Sequence, residues 1–318
     1  MRRQLIGTVA TVFGVVIALV VMQNIVMWKY FPHLDRMTTD FSAAYLQREL
    51  ESMAASPPQV VFLGDSVLWG FYLKANQNAI SILASQGCRC RNLSFKASSP
   101  PNYYALANLL LRYGVRPKLV VLEIDQRVLN PVNNAYSRLH PAVADLASPL
   151  LSSADRKLLI PPAQDNSLEI RLGRVASALS VLYAMRADLR EMLQPVPDTL
   201  PVRHPTADLF EGEYDLTPLT DGNVGVRYLE KTVDALRRAR IPIVAFMTPT
   251  NHTLLHSYID GPEYGENLRF LQRMLERHGA RVLNLDRAFS GKDFYDYAHL
   301  RATAQIRLAQ ILGRELPR

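Results

Sequence analysis

The N-terminal segment constrains this chain more than any other feature of the sequence. From Leu5 to Met22 it carries no charged residue, and its apolar character continues to Trp28. Because about 20 apolar residues are enough to cross the hydrocarbon core of a bilayer as a helix, this run predicts a transmembrane anchor. Arg2 and Arg3 precede the run, and by the positive-inside rule they place the N-terminus in the cytoplasm.

A signal peptide that is later removed is the alternative interpretation of this segment. Signal peptides have a shorter apolar region, of about 7–15 residues, followed by small residues at a cleavage site. Here the run ends in Met22-Gln23-Asn24, which contains no such site. The sequence therefore favours a single uncleaved span in the inner (cytoplasmic) membrane, with the remainder of the chain in the periplasmic or extracellular space.

Composition excludes several classes of protein. With 48% hydrophobic and 20% charged residues over 318 positions, the chain is neither disordered nor of low complexity. Two cysteines are too few for a disulfide scaffold or a cysteine-rich zinc domain. The net charge of +7 suits an acidic polymer or a phospholipid surface, but Lys and Arg are scattered and no glycine-rich phosphate loop is present. We therefore expect no nucleic-acid partner, no metal and no cofactor.

Short β-branched apolar runs recur after the anchor and alternate with helical patterns. The predicted strands are Gln59–Leu63, Arg91–Phe95, Lys118–Ile124, Ile241–Met247 and Arg281–Leu285. The predicted helices include Phe41–Ala55, Tyr103–Tyr113, Val224–Ala239, Glu266–His278 and Arg301–Leu312. Buried strands that alternate with helices indicate a doubly wound α/β domain.

The alternation is interrupted between the third and fourth predicted strands. There the pattern of Leu168–Leu193 predicts a long core-facing helix, flanked by proline-rich loops at Ile160–Asn166 and Gln194–Asp221. We interpret this block as an insertion near the carboxyl edge of the sheet, where such folds bind ligands. The predicted organisation is an anchor at 1–30, a juxtamembrane helix or linker at 31–56, and an α/β domain at 57–318 with its insertion at about 126–226.

A serine follows the first predicted strand directly. Gly64-Asp65-Ser66 places the Ser66 hydroxyl at the carboxyl end of the sheet and at the start of a helix, whose partial positive charge favours an oxyanion. A glycine turn with an Asp or Ser helix cap explains the same residues without any chemistry. Ser66 is therefore a candidate nucleophile, and a serine nucleophile requires a base.

His299 is the histidine best placed to be that base. It lies between the last predicted strand and the final helix, and Asp296 precedes it by three residues. In a tight turn the carboxylate reaches one imidazole nitrogen and leaves the other for a serine, as in a catalytic triad. A helix cap beside an exposed histidine is the alternative explanation of this spacing. His278, at a predicted helix end, is expected to be a solvated cap.

Together, Gly-Asp-Ser-x-x-x-Gly after the first strand and Asp-x-x-His before the last helix resemble the SGNH (GDSL-type) hydrolase superfamily. The resemblance covers about residues 57–316. It implies a flavodoxin-like three-layer α/β/α fold with a mainly parallel sheet, and an acyl-serine mechanism. It also implies that Ser66 is the nucleophile, His299 the general base and acid, and Asp296 its orienting partner.

The oxyanion positions match this superfamily less well. The resemblance implies a backbone N–H donor after the second strand, usually from glycine, and Ala97 stands at or next to that position. The asparagine of the Gly-x-Asn-Asp motif that often follows the third strand is missing, since Leu122–Asp125 reads Leu-Glu-Ile-Asp. Asn251 and Asn102 are candidate replacement donors, or else turn residues.

Two residue pairs remain open. Glu123 and Asp125 end a strand on the side of Ser66, where they either bind substrate or act as buried capping carboxylates. Cys88 and Cys90 are alternate residues of a strand, near the upper limit of separation for a disulfide, so a strained bridge and two free thiols are equally compatible with the sequence.

The missing asparagine and the N-terminal span narrow the resemblance further. The chain looks like the membrane-anchored SGNH-like acyltransferases of bacterial envelopes, such as the alginate O-acetylation proteins and the D-alanyl-lipoteichoic acid transfer protein. This resemblance implies a multi-pass membrane-bound O-acyltransferase as partner and an envelope polysaccharide as acceptor of an acyl group, with acetyl as first choice. Two alternatives stay open: an esterase or lipase of the same superfamily, and a non-catalytic glycan-binding or assembly subunit with this fold.

Overall fold

The protein is described by a computed structural model covering residues 2–30, 37–38, 41–129, 134–160, 175–176, 179–193, 214 and 216–317. Only the backbone is described at residues 2–10, 13, 27–30, 134–135, 188 and 191–193. The first part of the predicted helix Leu168–Leu193 and most of the two predicted proline-rich loops lie outside the described residues.

A five-stranded parallel sheet forms the centre of the fold. Its strands are β1 Val60–Leu63, β2 Cys90–Asn92, β3 Leu119–Ile124, β4 Ile243–Met247 and β5 Arg281–Asn284. They lie in the order β2-β1-β3-β4-β5, and every neighbouring pair is parallel. This is the flavodoxin-like order, in which the direction of winding reverses between β1 and β3 and ligands bind at the carboxyl ends of those strands.

Helices cover both faces of the sheet. They are α1 Arg2–Tyr30, α2 Ala43–Ala55, α3 Ser66–Trp69, α4 Ala79–Ser85, α5 Pro100–Arg112, α6 Pro141–Ala147, α7 Ser153–Leu159, α8 Val181–Ala184, α9 Arg186–Leu193, α10 Val224–Arg238, α11 His252–Ile259, α12 Pro262–Arg277 and α13 Ala302–Gly313. Alternate β1 residues point to opposite sides, so Val61 and Leu63 pack with α2, α5, α10 and α12, whereas Val60 and Phe62 pack with α4 and α13. The result is a three-layer α/β/α arrangement.

The two edge strands differ from their predictions. The second strand ends at Asn92, whereas the sequence predicted Arg91–Phe95. Arg281–Leu285 was expected to be buried like the central strands, but β5 has exposed residues at both ends and half-buried residues between them. The physical reason is its place at the edge of the sheet, where only β4 lies beside it. The central strands β1, β3 and β4 are buried throughout, as a sheet covered on both faces requires.

Helix α2 belongs to the main core and lies in the segment 31–56 that the sequence interpretation assigned to a juxtamembrane helix or linker. Tyr45, Leu46 and Leu50 of this helix are fully buried in the same cluster as the sheet residues. Ser42 caps the helix by accepting a hydrogen bond from the Tyr45 N–H at 3.1 Å. The buried core therefore begins well before the first strand.

The predicted long helix of the insertion is interrupted. Ser180 is extended and caps α8, and Met185 separates α8 from α9. The exposed fraction is 62% for Leu179 and 41% for Leu182, so the prediction that Leu168–Leu193 is one core-facing helix is wrong for these residues. The extended conformation of Ser180 breaks the helical period on which that prediction depends.

Helix α1 covers the charge-free run at the N-terminus. Its described aliphatic side chains are exposed, apart from the half-buried Val20. Near its end, the Gln23 side chain donates to Ser180 Oγ, and the Asn24 side chain donates to the carbonyl of Leu179 and accepts from the N–H of Val181. Among the residues that the structure describes, no helix combines the length and the apolarity needed to cross a bilayer.

Candidate active site

The nucleophile turn is defined here as residues 64–69, which connect β1 to the short helix α3. Ser66 is the first residue of α3, as the sequence predicted, and is half-buried. Asp65 caps the helix by accepting a hydrogen bond from the Val67 N–H at 2.9 Å. Gly70 ends the helix with a φ of 84°, in the left-handed region that glycine adopts without strain.

The histidine loop is defined here as residues 294–300, between β5 and α13. An antiparallel bridge between Phe294 and Leu300 closes it. Within it, Asp296 Oδ1 accepts hydrogen bonds from the backbone N–H groups of Ala298 and His299 at 2.9 and 2.8 Å. Asp296 Oδ2 lies 2.7 Å from His299 Nδ1. The Asp-x-x-His spacing therefore forms the local contact that the sequence predicted.

The structure brings Ser66, His299 and Asp296 into one hydrogen-bonded series. His299 Nε2 lies 2.9 Å from Ser66 Oγ, and both His299 and Asp296 are buried. A carboxylate on Nδ1 favours the tautomer with its proton there, which leaves Nε2 as acceptor for the serine hydroxyl. Burial alone would raise the pKa of Asp296, but the hydrogen bond and charge of His299, with the two N–H donors, hold that pKa below its ordinary value.

Two backbone N–H groups beside this series are available to a ligand. The neighbouring N–H groups of Asp65, Val67 and Leu68 are all hydrogen-bonded, whereas in the described chain the N–H groups of Ser66 and Ala97 have no partner. Ala97 has a φ of 59°, a conformation that glycine adopts most readily. The position for which the resemblance implies a glycine thus has a glycine-like backbone here.

The side chains of the two candidate asparagine donors are hydrogen-bonded to other groups. Asn251 caps α11 through the Leu254 N–H at 3.2 Å, and its Nδ2 donates to the backbone carbonyl of Asp296 at 2.8 Å. Asn102 accepts from the His140 N–H at 2.9 Å and donates to Ser99 and Arg138. Both side chains therefore make hydrogen bonds within the fold, and the Asn251 amide bonds to the histidine loop rather than to Ser66.

The sequence left Glu123 open between substrate binding and a buried capping role, and the structure places it beneath the nucleophile turn. Glu123, on β3, is fully buried, and its Oε2 accepts hydrogen bonds from the N–H groups of Asp65 and Leu68 at 2.9 and 3.2 Å. A Cβ on Gly64 would overlap the Glu123 side chain and lie 2.8 Å from Leu68 Cδ1. Glycine at this position is therefore what allows the carboxyl group to reach the turn.

Arg127 completes this support. Its guanidinium binds the Asp125 carboxylate, lies 3.6 Å from Asp65 Oδ2 and stacks over the Tyr297 ring at 5.1 Å. Burial would lower the pKa of Arg127, but the charges of Asp125 and Asp65 hold it well above its ordinary value. Burial and the neighbouring charges of Asp65 and Asp125 raise the pKa of Glu123 well above its ordinary value.

Asp65, Glu123 and Asp125 are also the described residues whose arrangement most resembles a metal-binding site. Oxygens of Asp65, Glu123 and Asp125 lie within 4.8 Å of one another. However, Arg127 and the backbone N–H groups of the turn already engage these oxygens, apart from Glu123 Oε1, which has no partner among the described residues. Two roles were left open for Glu123 and Asp125, substrate binding and buried capping. The structure therefore favours the second, in which their carboxyl groups are buried and stabilise the turn.

Other residues noted in the sequence lie in separate surroundings. His278 ends α12 and contacts Asp234, with 3.1 Å between His278 Nδ1 and the carboxylate. Cys88 and Cys90 are free thiols, Cys88 half-buried and Cys90 buried in β2. None of these residues takes part in the series that contains Ser66.

The strand order and the hydrogen-bonded series of Ser66, His299 and Asp296 agree with the resemblance to the SGNH superfamily that the sequence motifs carry. No protein-family model and no curated protein matches the sequence. Solved structures do match. One is described as a lipolytic protein of the G-D-S-L family from Desulfitobacterium hafniense DCB-2, with 10% identity over 81% of this chain and 98% of that chain and a TM-score of 0.41. Another is a catalytic mutant of Axe2, an acetylxylan esterase from Geobacillus stearothermophilus, with 12% identity, 82% and 94% coverage and a TM-score of 0.43.

Proposed function

We propose that this protein is an SGNH-type serine enzyme that acts on esters through an acyl-Ser66 intermediate. The observation that carries the proposal is the unbroken series from Ser66 Oγ through His299 to Asp296, at 2.9 and 2.7 Å. A serine hydroxyl becomes a useful nucleophile only when a base removes its proton, and His299 Nε2 lies within reach of that proton.

Acylation follows from this geometry. His299 Nε2 takes the Ser66 proton as Ser66 Oγ attacks the carbonyl carbon of an ester or thioester. The N–H groups of Ser66 and Ala97 stabilise the oxyanion that forms. When the bond to the leaving group breaks, His299 returns the proton to the departing alkoxide or thiolate. Asp296 stays ionised throughout, and this keeps the imidazole in the required tautomer and stabilises its protonated form.

Release of the acyl group repeats these steps with a second nucleophile. His299 removes the proton of a hydroxyl, whose oxygen attacks the acyl-Ser66 carbonyl, and the proton then returns to Ser66 Oγ. Water as this nucleophile gives hydrolysis, and a sugar hydroxyl gives transfer. The residues of the site are the same for both outcomes, so the acceptor that reaches the acyl-enzyme determines the reaction.

The finer proposal is an O-acyltransferase that is anchored in the inner membrane and modifies an envelope glycan outside the cytoplasm. Its support is the charge-free run Leu5–Met22 behind Arg2 and Arg3, together with the exposed aliphatic side chains described for α1. A single span offers no path for an acyl group, so the proposal includes a multi-pass membrane-bound O-acyltransferase as the source of that group.

The test uses the full-length protein with p-nitrophenyl acetate as donor and an acidic polysaccharide as acceptor. We expect peptide mass spectrometry to find an acetyl group on Ser66, and we expect none in the Ser66→Ala variant. Acetylated glycan then supports transfer, whereas acetate as the only product indicates the esterase. A wild-type protein that carries no acetyl group on Ser66 and releases acetate no faster than Ser66→Ala would indicate the non-catalytic subunit and overturn the proposal.

A further inference from the structure

A second histidine–aspartate pair lies outside the series that contains Ser66. His252 Nε2 is 2.8 Å from Asp286 Oδ2, and the hydroxyl of Tyr264 donates to Asp286 Oδ1 at 2.7 Å. His252 begins α11 after β4, Asp286 follows β5, and Tyr264 belongs to α12. Asp286 and Tyr264 are buried, and His252 is half-buried. We call Asp286, His252 and Tyr264 the Asp286 cluster.

The Asp286 cluster does not form a second catalytic site. Its carboxylate faces Nε2 of His252 and favours the tautomer with the proton on that nitrogen. The other ring nitrogen, Nδ1, is enclosed and has no hydrogen-bond partner among the described residues. A general base must come within hydrogen-bond distance of the proton that it removes, and an enclosed nitrogen does not. The pair therefore acts through the chain segments that it joins.

The Asp286 cluster fixes the turn between β4 and α11 on both sides of Asn251. After Asn251, the bond is that of the His252 side chain; before it, the N–H of Thr250 donates to the backbone carbonyl of Asp286 at 3.1 Å. Thr250 Oγ1 also lies 3.0 Å from the hydroxyl of Tyr264. Burial and the charge of Asp286 raise the pKa of Tyr264 well above its ordinary value, so the hydroxyl keeps its proton. Because that proton is donated to Asp286, Thr250 is the donor to Tyr264.

Asn251 connects this turn to the histidine loop. Its N–H donates to the backbone carbonyl of Tyr297 at 3.0 Å, and its Nδ2 donates to the backbone carbonyl of Asp296 at 2.8 Å. The hydrogen bonds within the histidine loop set its shape, whereas these two bonds attach it to the turn after β4. Because Asp296 orients His299, the distance from the His299 ring to Ser66 depends on where Asn251 lies.

We propose that the Asp286 cluster positions His299 against Ser66 through Asn251, and that Asp286 is its central residue. This rests on the proposed function. Proton transfer from Ser66 requires a short and aligned contact, and a displacement of about 1 Å caused by a distant substitution can lower a rate about 100-fold. Asp286 is a positioning residue, because none of its described bonds goes to Ser66 or His299. Removing its charge should therefore slow acylation without weakening the binding of a small reagent.

The test measures labelling of Ser66 in the full-length protein by a fluorophosphonate over a range of reagent concentrations. These data separate the maximal rate of the chemical step from the concentration that gives half of that rate. Asp286→Asn keeps the shape of the side chain but removes its charge. It should lower the maximal rate about 10- to 100-fold and leave the half-maximal concentration unchanged. Tyr264→Phe removes one donor to Asp286 and should lower the maximal rate to a smaller extent.

Asp155 provides the matched control, because it is also a buried aspartate that accepts a hydrogen bond from a tyrosine hydroxyl. Tyr228 donates to Asp155 at 2.6 Å, and the other described partners of Asp155, Ser152 and Lys231, lie outside the nucleophile turn and the histidine loop. Asp155→Asn and Tyr228→Phe should therefore lose stability to urea but keep the maximal labelling rate. All variants are compared at a temperature at which circular dichroism shows them to be folded.

Equal maximal rates in Asp286→Asn and Asp155→Asn would overturn the positioning role, as would an effect of Asp286→Asn that is confined to the half-maximal concentration. If Asp286→Asn does not fold, Tyr264→Phe and Tyr228→Phe decide the question in the same way. A wild type that is labelled while the matched variants behave alike refutes the positioning role alone. A wild type that is not labelled at Ser66 refutes the proposed function and the positioning role with it.

Discussion

The two halves of the candidate active site are held in place by different means. In the histidine loop, Asp296 bonds to Ala298 and His299, all within three positions of the chain. In the nucleophile turn, the supporting bonds come from Glu123, 58 and 55 positions away from the residues it holds. The loop therefore depends on local sequence, whereas the turn depends on a buried polar group delivered by a neighbouring strand.

This difference predicts where substitutions have the largest effect on stability. Buried charged groups that lose their partner are costly, whereas a lost local hydrogen bond has a moderate effect. Four substitutions test the comparison: two at the nucleophile turn and its support, one at a residue that bonds to the histidine loop, and one within that loop.

Arg127→Met should have the largest effect. It leaves Asp125 and Asp65 buried without their cation, and removing one partner of a buried ion pair costs about 3–5 kcal/mol. Urea unfolding measures the loss. The control is Arg237→Met, because Arg237 is 63% exposed and pairs with Asp234 at the surface, where such pairs contribute about 0–1 kcal/mol. Similar losses in both variants would show that the buried network does not support the turn.

Gly64→Ala should have the next largest effect. The added methyl group meets Glu123 and Leu68 and forces the turn away from its support, so we expect a loss of about 1–3 kcal/mol. Gly222→Ala is the matched control, since its new methyl group would meet only Thr220 Oγ1 at 3.5 Å, an ordinary contact. Thermal unfolding compares the two, and a Gly64→Ala protein as stable as Gly222→Ala would contradict the described position of Glu123.

Asn251→Ala should cost about 1 kcal/mol, the usual value for a lost helix cap. It should also slow acylation of Ser66, because Asn251 holds the carbonyl of Asp296. Asn223→Ala separates the two effects, since Asn223 caps α10 and donates to the carbonyl of Leu129, outside the histidine loop. We expect both variants to lose stability and only Asn251→Ala to acylate Ser66 more slowly. Equal acylation rates in the two variants would show that Asn251 does not contribute to the site.

The smallest effect concerns the pH dependence of stability. Because the pKa of Asp296 is lowered in the folded protein, its ionised form contributes stability above the unfolded value of about 4. That contribution is lost as the pH falls through the folded pKa. Unfolding of wild type and Asp296→Asn should therefore differ most above pH about 4 and converge in stronger acid. A constant difference across this range would mean that Asp296 is not held ionised by His299.

The same comparison explains what the sequence predicted and what it did not. The Asp-x-x-His contact and the position of Ser66 after β1 follow from short motifs, and both were anticipated. The contact of Arg127 with Asp65 could not be predicted, because it depends on β1 and β3 being neighbours. For the same reason Glu123 and Asp125 remained ambiguous between substrate binding and support of the turn.

The remaining differences between the sequence interpretation and the structure have a similar origin. Asn251 and Asn102 have the right chemistry for an oxyanion donor, and only the position of the Asp296 carbonyl and the His140 N–H shows that their amides are engaged. The exposure of β5 depends on its place at the sheet edge. In each case the deciding contact joins segments that are distant in sequence.

Labelling of Ser66 by a fluorophosphonate probe tests the central claim most directly. We expect the wild type to react and Ser66→Ala not to react. His299→Ala should react at least about 100-fold more slowly, the effect of losing a general base. His278→Ala, which removes a histidine that pairs with Asp234 instead, should react like the wild type. If wild type and Ser66→Ala label alike, or if the two histidine variants behave alike, the assignment of Ser66 and His299 is wrong.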